Sequence, residues 1–333
     1  MKKILSYLFL CALLCALNGC GVQSGDVRNS VNFFAMDTLM EFSAYADETT
    51  LSGAREIVTE LESRVSTTNA KSEIYRLNHD GGGTVSPGTA ELLRTALSMC
   101  RLTNGAFDLS IYPVVRAWGF TTGEYRIPSG DELAALLAQV DYTRIRLDGE
   151  DVSLPDGMEI DLGGIAKGYA GRKAAEYLRE HGVTSALLNL GGNVQTVGEK
   201  PDGTPWRVAV QDPLQSGAYA GILEIRNQAA VTSGGYERHF TGEDGETYWH
   251  IMDPETGRPA RSGLLSVTVV ADDGALCDAL STALFVMGAE TAERFWREHQ
   301  DFEMVLITED GEAIVTPGLS YTPEAYPVRT LTR

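Results

Sequence analysis

The sequence agrees with an α+β fold rich in hairpins, and three observations point there. Short strand-like runs come in pairs around turn signals. Residues 144–147 and 152–154 flank Asp148-Gly149, residues 186–190 and 194–197 flank Gly191-Gly192, and residues 305–307 pair with 313–315 near the C-terminus. Amphipathic helical periods run over residues 52–66, 89–103 and 131–140. The glycine-rich junction at Gly163, Gly164 and Gly168 lacks the G-x-G-x-x-G spacing that opens a dinucleotide-binding fold.

In chain order, Lys2 and Lys3 precede an apolar run over residues 4–17, interrupted by Ser6, which is too short and too early for a comfortable spanning helix. It ends in Leu17-Asn18-Gly19-Cys20, which resembles a bacterial lipobox. The expected organisation is a signal peptide over 1–19, a lipid on Cys20, a polar tether over 20–30 and one folded unit over 31–333. The protein is then a lipoprotein of the cell membrane, facing the periplasm or the outside.

Residues 31–45 alternate as a strand, with Met36-Asp37-Thr38 in its middle. The helix over 52–66 follows, then Ser72-Glu73-Ile74-Tyr75-Arg76-Leu77-Asn78, and a second helix that opens at Ser86-Pro87 and closes at Asn104-Gly105. Further strands fall at 206–210, 221–225 and 265–270, and a helix at 275–288.

The 333 residues are 43% hydrophobic and 8% aromatic, enough for a large core. Acidic side chains outnumber basic ones by 46 to 27, a net charge of -19, which argues against nucleic acid as a partner. A phosphate-bearing ligand would need local positive charge or a metal to offset that field. Cys11 and Cys15 leave with the signal, and Cys100 and Cys277 lie in apolar helical patterns. They read as buried free thiols, neither a disulfide nor a zinc site.

Two stretches carry chemistry. In Glu159 to His181 a glycine pair precedes a helix start, where backbone N–H groups can face an anion. Lys167 sits in the first turn of that helix, against the dipole, a placement that costs stability unless something negative binds. The Walker spacing fails here, because Lys167 precedes Gly168. Close packing of small residues on a sheet explains the glycines equally well. In the helix over 275–288, Asp278, Ser281 and Thr282 share one face at i, i+3 and i+4. Their oxygens suit a hard cation such as magnesium, or a cap and a solvated face. His250 has the ordinary pKa of about 6.5 that suits a general base, and Asp253 lies three residues on.

The wording of these stretches resembles the FAD:protein FMN transferase family, also called the ApbE family. DLGGIAKGYA over 161–170 is similar to a family signature, as are the SEIYRLN block, GAFD over 105–108, the stretch from Pro113 to Trp118-Gly119-Phe120, NLGGN over 189–193, TSGGYER over 232–238 and WHIMDPETGRP over 249–259. Seven blocks recur in the family's order. Asp37 stands where the family has glycine, and Trp249 where it has a first histidine.

The resemblance implies an α+β fold of antiparallel sheets flanked by helices, T-fold-like. It implies Mg²⁺-dependent transfer of FMN from FAD to a threonine hydroxyl of an acceptor flavoprotein, with AMP released. Acceptors would be subunits of membrane redox complexes of the quinone reductase or Rnf type. The family's acceptor motif, D-x-x-[ST]-[GS]-A-T, does not occur in this chain. Carried over by position, Met36, Ala106, Phe107, Asp108, Trp118, Asp161, Gly163, Lys167, Ser233, Gly234, His250 and Ile251 contact the flavin nucleotide. Ala166, Asp278, Ser281 and Thr282 hold the metal, and His250, Asp253 and Lys167 carry the chemistry. An FAD pyrophosphatase and a flavin-binding lipoprotein without catalysis remain as alternatives.

Overall fold

The computed structural model describes residues 27–332, so the signal peptide, the lipobox and Cys20 lie outside the described residues. The elements in order are β1 (Arg28–Ala35), β2 (Thr38–Tyr45), α1 (Glu48–Val65), α2 (Glu73–Asp80), β3 (Gly82–Thr84), α3 (Pro87–Leu102), α4 (Tyr112–Ala117), α5 (Gly130–Leu137), β4 (Arg146–Asp148), β5 (Asp151–Ser153) and α6 (Ala166–Glu180). There follow β6 (Ser185–Leu190), β7 (Asn193–Gly198), β8 (Trp206–Gln211), β9 (Tyr219–Ile225), β10 (Ala229–Gly234), β11 (His239–Thr241), β12 (Thr247–Trp249), β13 (Leu264–Ala271), α7 (Gly274–Met287), α8 (Ala289–His299), β14 (Glu303–Thr308), β15 (Ala313–Val315), β16 (Ser320–Pro323) and β17 (Val328–Thr330).

Among the described residues the main sheet has nine strands in the order β1-β2-β6-β7-β10-β13-β14-β15-β17. Its pairings are antiparallel except β15 with β17. This is the expected α+β class. The sheet is covered on both faces, and strand alternation sorts the side chains between them. In β14, Met304 and Leu306 join the core beneath the helices. Val305 and Ile307 turn to the other face, where they meet Trp206, Val208 and Leu223 of β8 and β9. That second layer is a three-stranded sheet, β16-β9-β8.

Where structure and expectation differ, the reasons are local. The run over 31–45 is not one strand but the hairpin β1–β2, with Met36 and Asp37 as its two-residue turn at φ of 49° and 60°. Both left-handed residues match a primed turn, which suits the twist of the flanking strands. Strand β1 starts at Arg28, inside the stretch expected as a tether. Helix α8 escaped the sequence reading; it buries Ala292, Phe295 and Trp296. Cys100 and Cys277 are buried free thiols, as expected. Among the described residues no helix is long and apolar enough to cross a membrane.

The contact that places the site is the crossing of α6 and α7. A Cβ on Gly168 would lie 2.0 Å from the carbonyl oxygen of Gly274, and one on Gly274 would lie 2.6 Å from that of Gly168. Two glycines therefore let the two helix starts meet backbone to backbone. Gly171, one turn further on, packs against Leu190 and Gln195 of the sheet. The small residues thus serve helix-on-helix and helix-on-sheet packing together.

Candidate active site

A cleft of about 170 Å³ opens over that crossing. Its floor is Gly163, Gly164, Lys167, Asp278 and Thr282, and its walls bring in Phe107, Ser233, Arg238, His250 and Ile251. A second cleft, of about 350 Å³, is lined in part by Asp161, Lys167 and Arg238 as well and includes Met36 and Ala166. The two share those three side chains, so an elongated ligand can lie across both.

Asp278 is only 4% exposed, so it does not stand on a solvated helix face, the alternative to a cation site. Its Oδ2 accepts the Gly168 N–H at 2.8 Å. Helix α6 has no side-chain cap of its own, and Asp273 caps α7. Asp278 therefore caps the neighbouring helix, through the gap the two glycines create. Burial raises its carboxyl pKa, and Lys167, the Gly168 amide and Asn193 pull it back down. Among the described residues the Lys167 ammonium makes no ion pair or hydrogen bond, so it stands free at the helix start.

The hydroxyls are ordered behind that carboxylate. Ser281 donates to the Asp278 carbonyl at 2.9 Å, and its Oγ lies 2.8 Å from Ser233 Oγ. Ser233 Oγ lies 3.3 Å from Thr282 Oγ1. Ser281 is fully buried and does not line the cleft, so its expected role as a metal ligand is corrected to support of Ser233 and Thr282. A helical serine satisfies itself on the carbonyl three residues back.

His250 lines the cleft with Nδ1 3.3 Å from the Arg238 carbonyl. If Nδ1–H donates there, Nε2 is left as the acceptor. Burial, then the charges of Arg238 and Lys167, lower its pKa to about 3. The imidazole is neutral at working pH, as a base must be, but the ordinary value assumed from sequence does not hold. Glu237, at the same cleft, is raised to about 7 by desolvation from its neighbours, with Asp278 adding to the rise, although part of the residue stays exposed.

Ala106, Phe107, Asp108, Asp161, Gly163, Lys167, Ser233, His250 and Ile251 all line the cleft as expected. Phe107 packs on Gly164, where a Cβ would lie 3.0 Å from its ring. The Asp108 carboxylate is committed locally, to the Ser110 N–H and Oγ and the Tyr142 N–H. Asp161 Oδ1 accepts the Gly163 N–H, and burial raises its pKa.

Three expectations are corrected. Trp118 is fully buried, donates to the Gly257 carbonyl at 2.8 Å and packs on Tyr248, so it is core and not a flavin platform. Gly234 does not line the cleft, to which β10 contributes Thr232 and Ser233 instead. Asp253 is spent on its own turn, accepting from the Glu255 N–H and Thr256 Oγ1. The Arg238 carbonyl, not Asp253, faces the His250 ring. Arg238, Glu237 and Asn193 were missed, although Arg238 and Asn193 end two of the quoted blocks; nothing in their spacing says that they face a cleft.

This arrangement, with a cationic helix start, a buried carboxylate and an imidazole around one cleft, is the kind of site that handles an anionic ligand. The ApbE family model matches residues 36–306, and the chain belongs to that family. It is 34% identical over 277 residues to a FAD:protein FMN transferase of Klebsiella pneumoniae, covering 81% of this chain and 85% of the relative. A FAD:protein FMN transferase of Vibrio cholerae is 33% identical over 265 residues, covering 77% of this chain and 78% of the relative. The crystal structure of the ApbE protein from Thermotoga maritima superposes with a TM-score of 0.80 at 29% identity, covering 90% of this chain and 97% of that one.

Proposed function

We propose that this transferase moves FMN from FAD to a threonine hydroxyl of an acceptor protein and releases AMP, with Mg²⁺ as its metal. The observation that supports this best is the convergence of Asp278, Thr282, Lys167 and His250, from three distant stretches, on one cleft.

The donor set fits magnesium. One carboxylate, one hydroxyl and the backbone of Ala166, two residues from the Gly168 amide that Asp278 holds, are all hard oxygens. Asp278, Thr282 and the Ala166 carbonyl would hold the ion, which would supply charge neutralisation on the phosphoryl oxygens.

The chain's own groups do the rest. Lys167 and Arg238 face both clefts and bind the pyrophosphate between them. Their charges are then offset by the ligand, which lifts one of the causes that hold the His250 pKa down. The acceptor oxygen forms a bond to the FMN-side phosphorus as the bond to the bridging oxygen breaks. AMP leaves with that oxygen, and the hydroxyl proton passes to His250 Nε2. The protein acts outside the cytoplasmic membrane, tethered through lipid on Cys20, on flavoprotein subunits of membrane redox complexes of the quinone reductase or Rnf type.

The test incubates the protein with FAD, Mg²⁺ and a domain carrying the acceptor motif, then weighs the acceptor and measures AMP. A mass gain of one FMN phosphoester with equal AMP is expected. AMP and free FMN without the mass gain would make the protein a pyrophosphatase, and bound FAD with no product would make it a binder.

A further inference from the structure

Asn193 is the first residue of β7, directly after the Gly191-Gly192 turn, whose residues have φ of 69° and 100°. That turn is itself fixed. Gly192 N–H donates to Asn189 Oδ1 at 2.9 Å, and a Cβ on Gly191 would strike Thr38 at 2.2 Å. The hairpin therefore delivers the Asn193 side chain to one place, the wall of the cleft beside Asp278. The residue is only 4% exposed, and among the described residues its Nδ2 is a buried donor that lies by the Asp278 carboxylate without meeting full hydrogen-bond geometry to it or to any other acceptor. Leaving such a donor unsatisfied is unfavourable. A polar side chain in that state next to a site is a group awaiting its partner.

The nearby acceptor is the Asp278 carboxylate. One of its oxygens is already held by the Gly168 N–H. A second donor on the carboxylate would fix its rotation about the Cβ–Cγ bond and leave a lone pair turned into the cleft.

We propose that Asn193 is a positioning residue for Asp278: its side-chain amide, together with the Gly168 N–H, clamps the carboxylate in the orientation that receives the cation. The proposal rests on the reading of Asp278 as the metal-holding carboxylate. Groups that orient a ligating side chain typically change metal affinity about 10- to 100-fold when removed. Asn193→Leu keeps the branched shape and removes the donor, and Asn193→Ala serves should the bulkier leucine variant not fold.

The experiment titrates Mg²⁺ into the full-length protein without FAD, following heat of binding, and records the thermal midpoint of the metal-free protein alongside. Expected is a loss of metal affinity of at least 10-fold in the Asn193 variants with the metal-free midpoint kept. In an Asp278→Asn background, where the carboxylate is gone, Asn193→Ala should change the residual affinity less than 3-fold. Wild-type affinity in the Asn193 variants, or a fall only in step with the midpoint, would overturn the positioning role. Unchanged affinity in Asp278→Asn itself would instead remove the metal reading on which it stands.

Discussion

Gly168→Ala tests the claim that the active site is built by a glycine-glycine helix crossing. The added Cβ would sit 2.0 Å from the Gly274 carbonyl oxygen and 2.7 Å from Asp278 Cβ, where real Cβ contacts essentially never fall below 3.0 Å. The neighbour is backbone, so no side chain can swing aside. Helix α6 must withdraw from α7 by about 1 Å, the shortfall between those two distances. Overpacking of this kind costs about 1–3 kcal/mol. The same shift stretches the 2.8 Å bond between the Gly168 amide and Asp278 out of range. A displacement of about 1 Å at a reacting centre costs on the order of 100-fold in rate. The variant should therefore lose several degrees of thermal stability and about two orders of magnitude in flavin transfer, assayed by acceptor mass. Gly130→Ala, where nothing lies within 4 Å, is the control and should be neutral or slightly stabilising. A Gly168→Ala protein with wild-type midpoint and rate would refute the crossing as the organiser of the site.

Asp278→Asn should abolish Mg²⁺-dependent turnover by orders of magnitude while keeping an acceptor for the Gly168 amide. Asp278→Ala should in addition destabilise by roughly 0.5–2 kcal/mol, because it removes the cap of α6; equal midpoints for the two variants would contradict the capping role. His250→Ala should slow transfer about 100- to 10,000-fold with FAD affinity kept, and parallel loss of both would make the residue structural. Its pH signature has a definite sign. The folded pKa of about 3 lies below the ordinary 6.5, so the unfolded chain binds more protons between these values. Stability falls as pH drops from 6.5 towards 3, and His250→Ala should flatten that acid slope in urea titrations at pH 4 and pH 7. Trp118→Leu should lower the thermal midpoint and leave FAD affinity of the folded fraction unchanged, and weakened binding at an unchanged midpoint would restore it to the site. Cys20→Ser should release the protein from membranes, and unchanged extraction together with an unchanged N-terminal mass would end the anchor proposal.

The sequence by itself determined what is local. Turn glycines, alternation and helix periods placed the paired strands, α1, α3 and α7 within a few residues, because each is decided by neighbours in the chain. The quoted blocks carried the family and nine of the twelve expected nucleotide contacts into the observed cleft. What the tertiary structure decided is which polar groups remain free once the chain has folded. Asp253 and Asp108 look as available in sequence as Asp278, but their own turns consume them. Trp118 looks like a platform for a ring until the Gly257 carbonyl and Tyr248 enclose it. Asp278 looks solvated until Gly274 of its own helix meets Gly168 and the Gly168 amide, 110 residues away in sequence, reaches the Asp278 carboxylate. Burial, the sum of nearby charge and the partner of a hydrogen bond all depend on groups remote in the chain, and the fold alone brings those groups together.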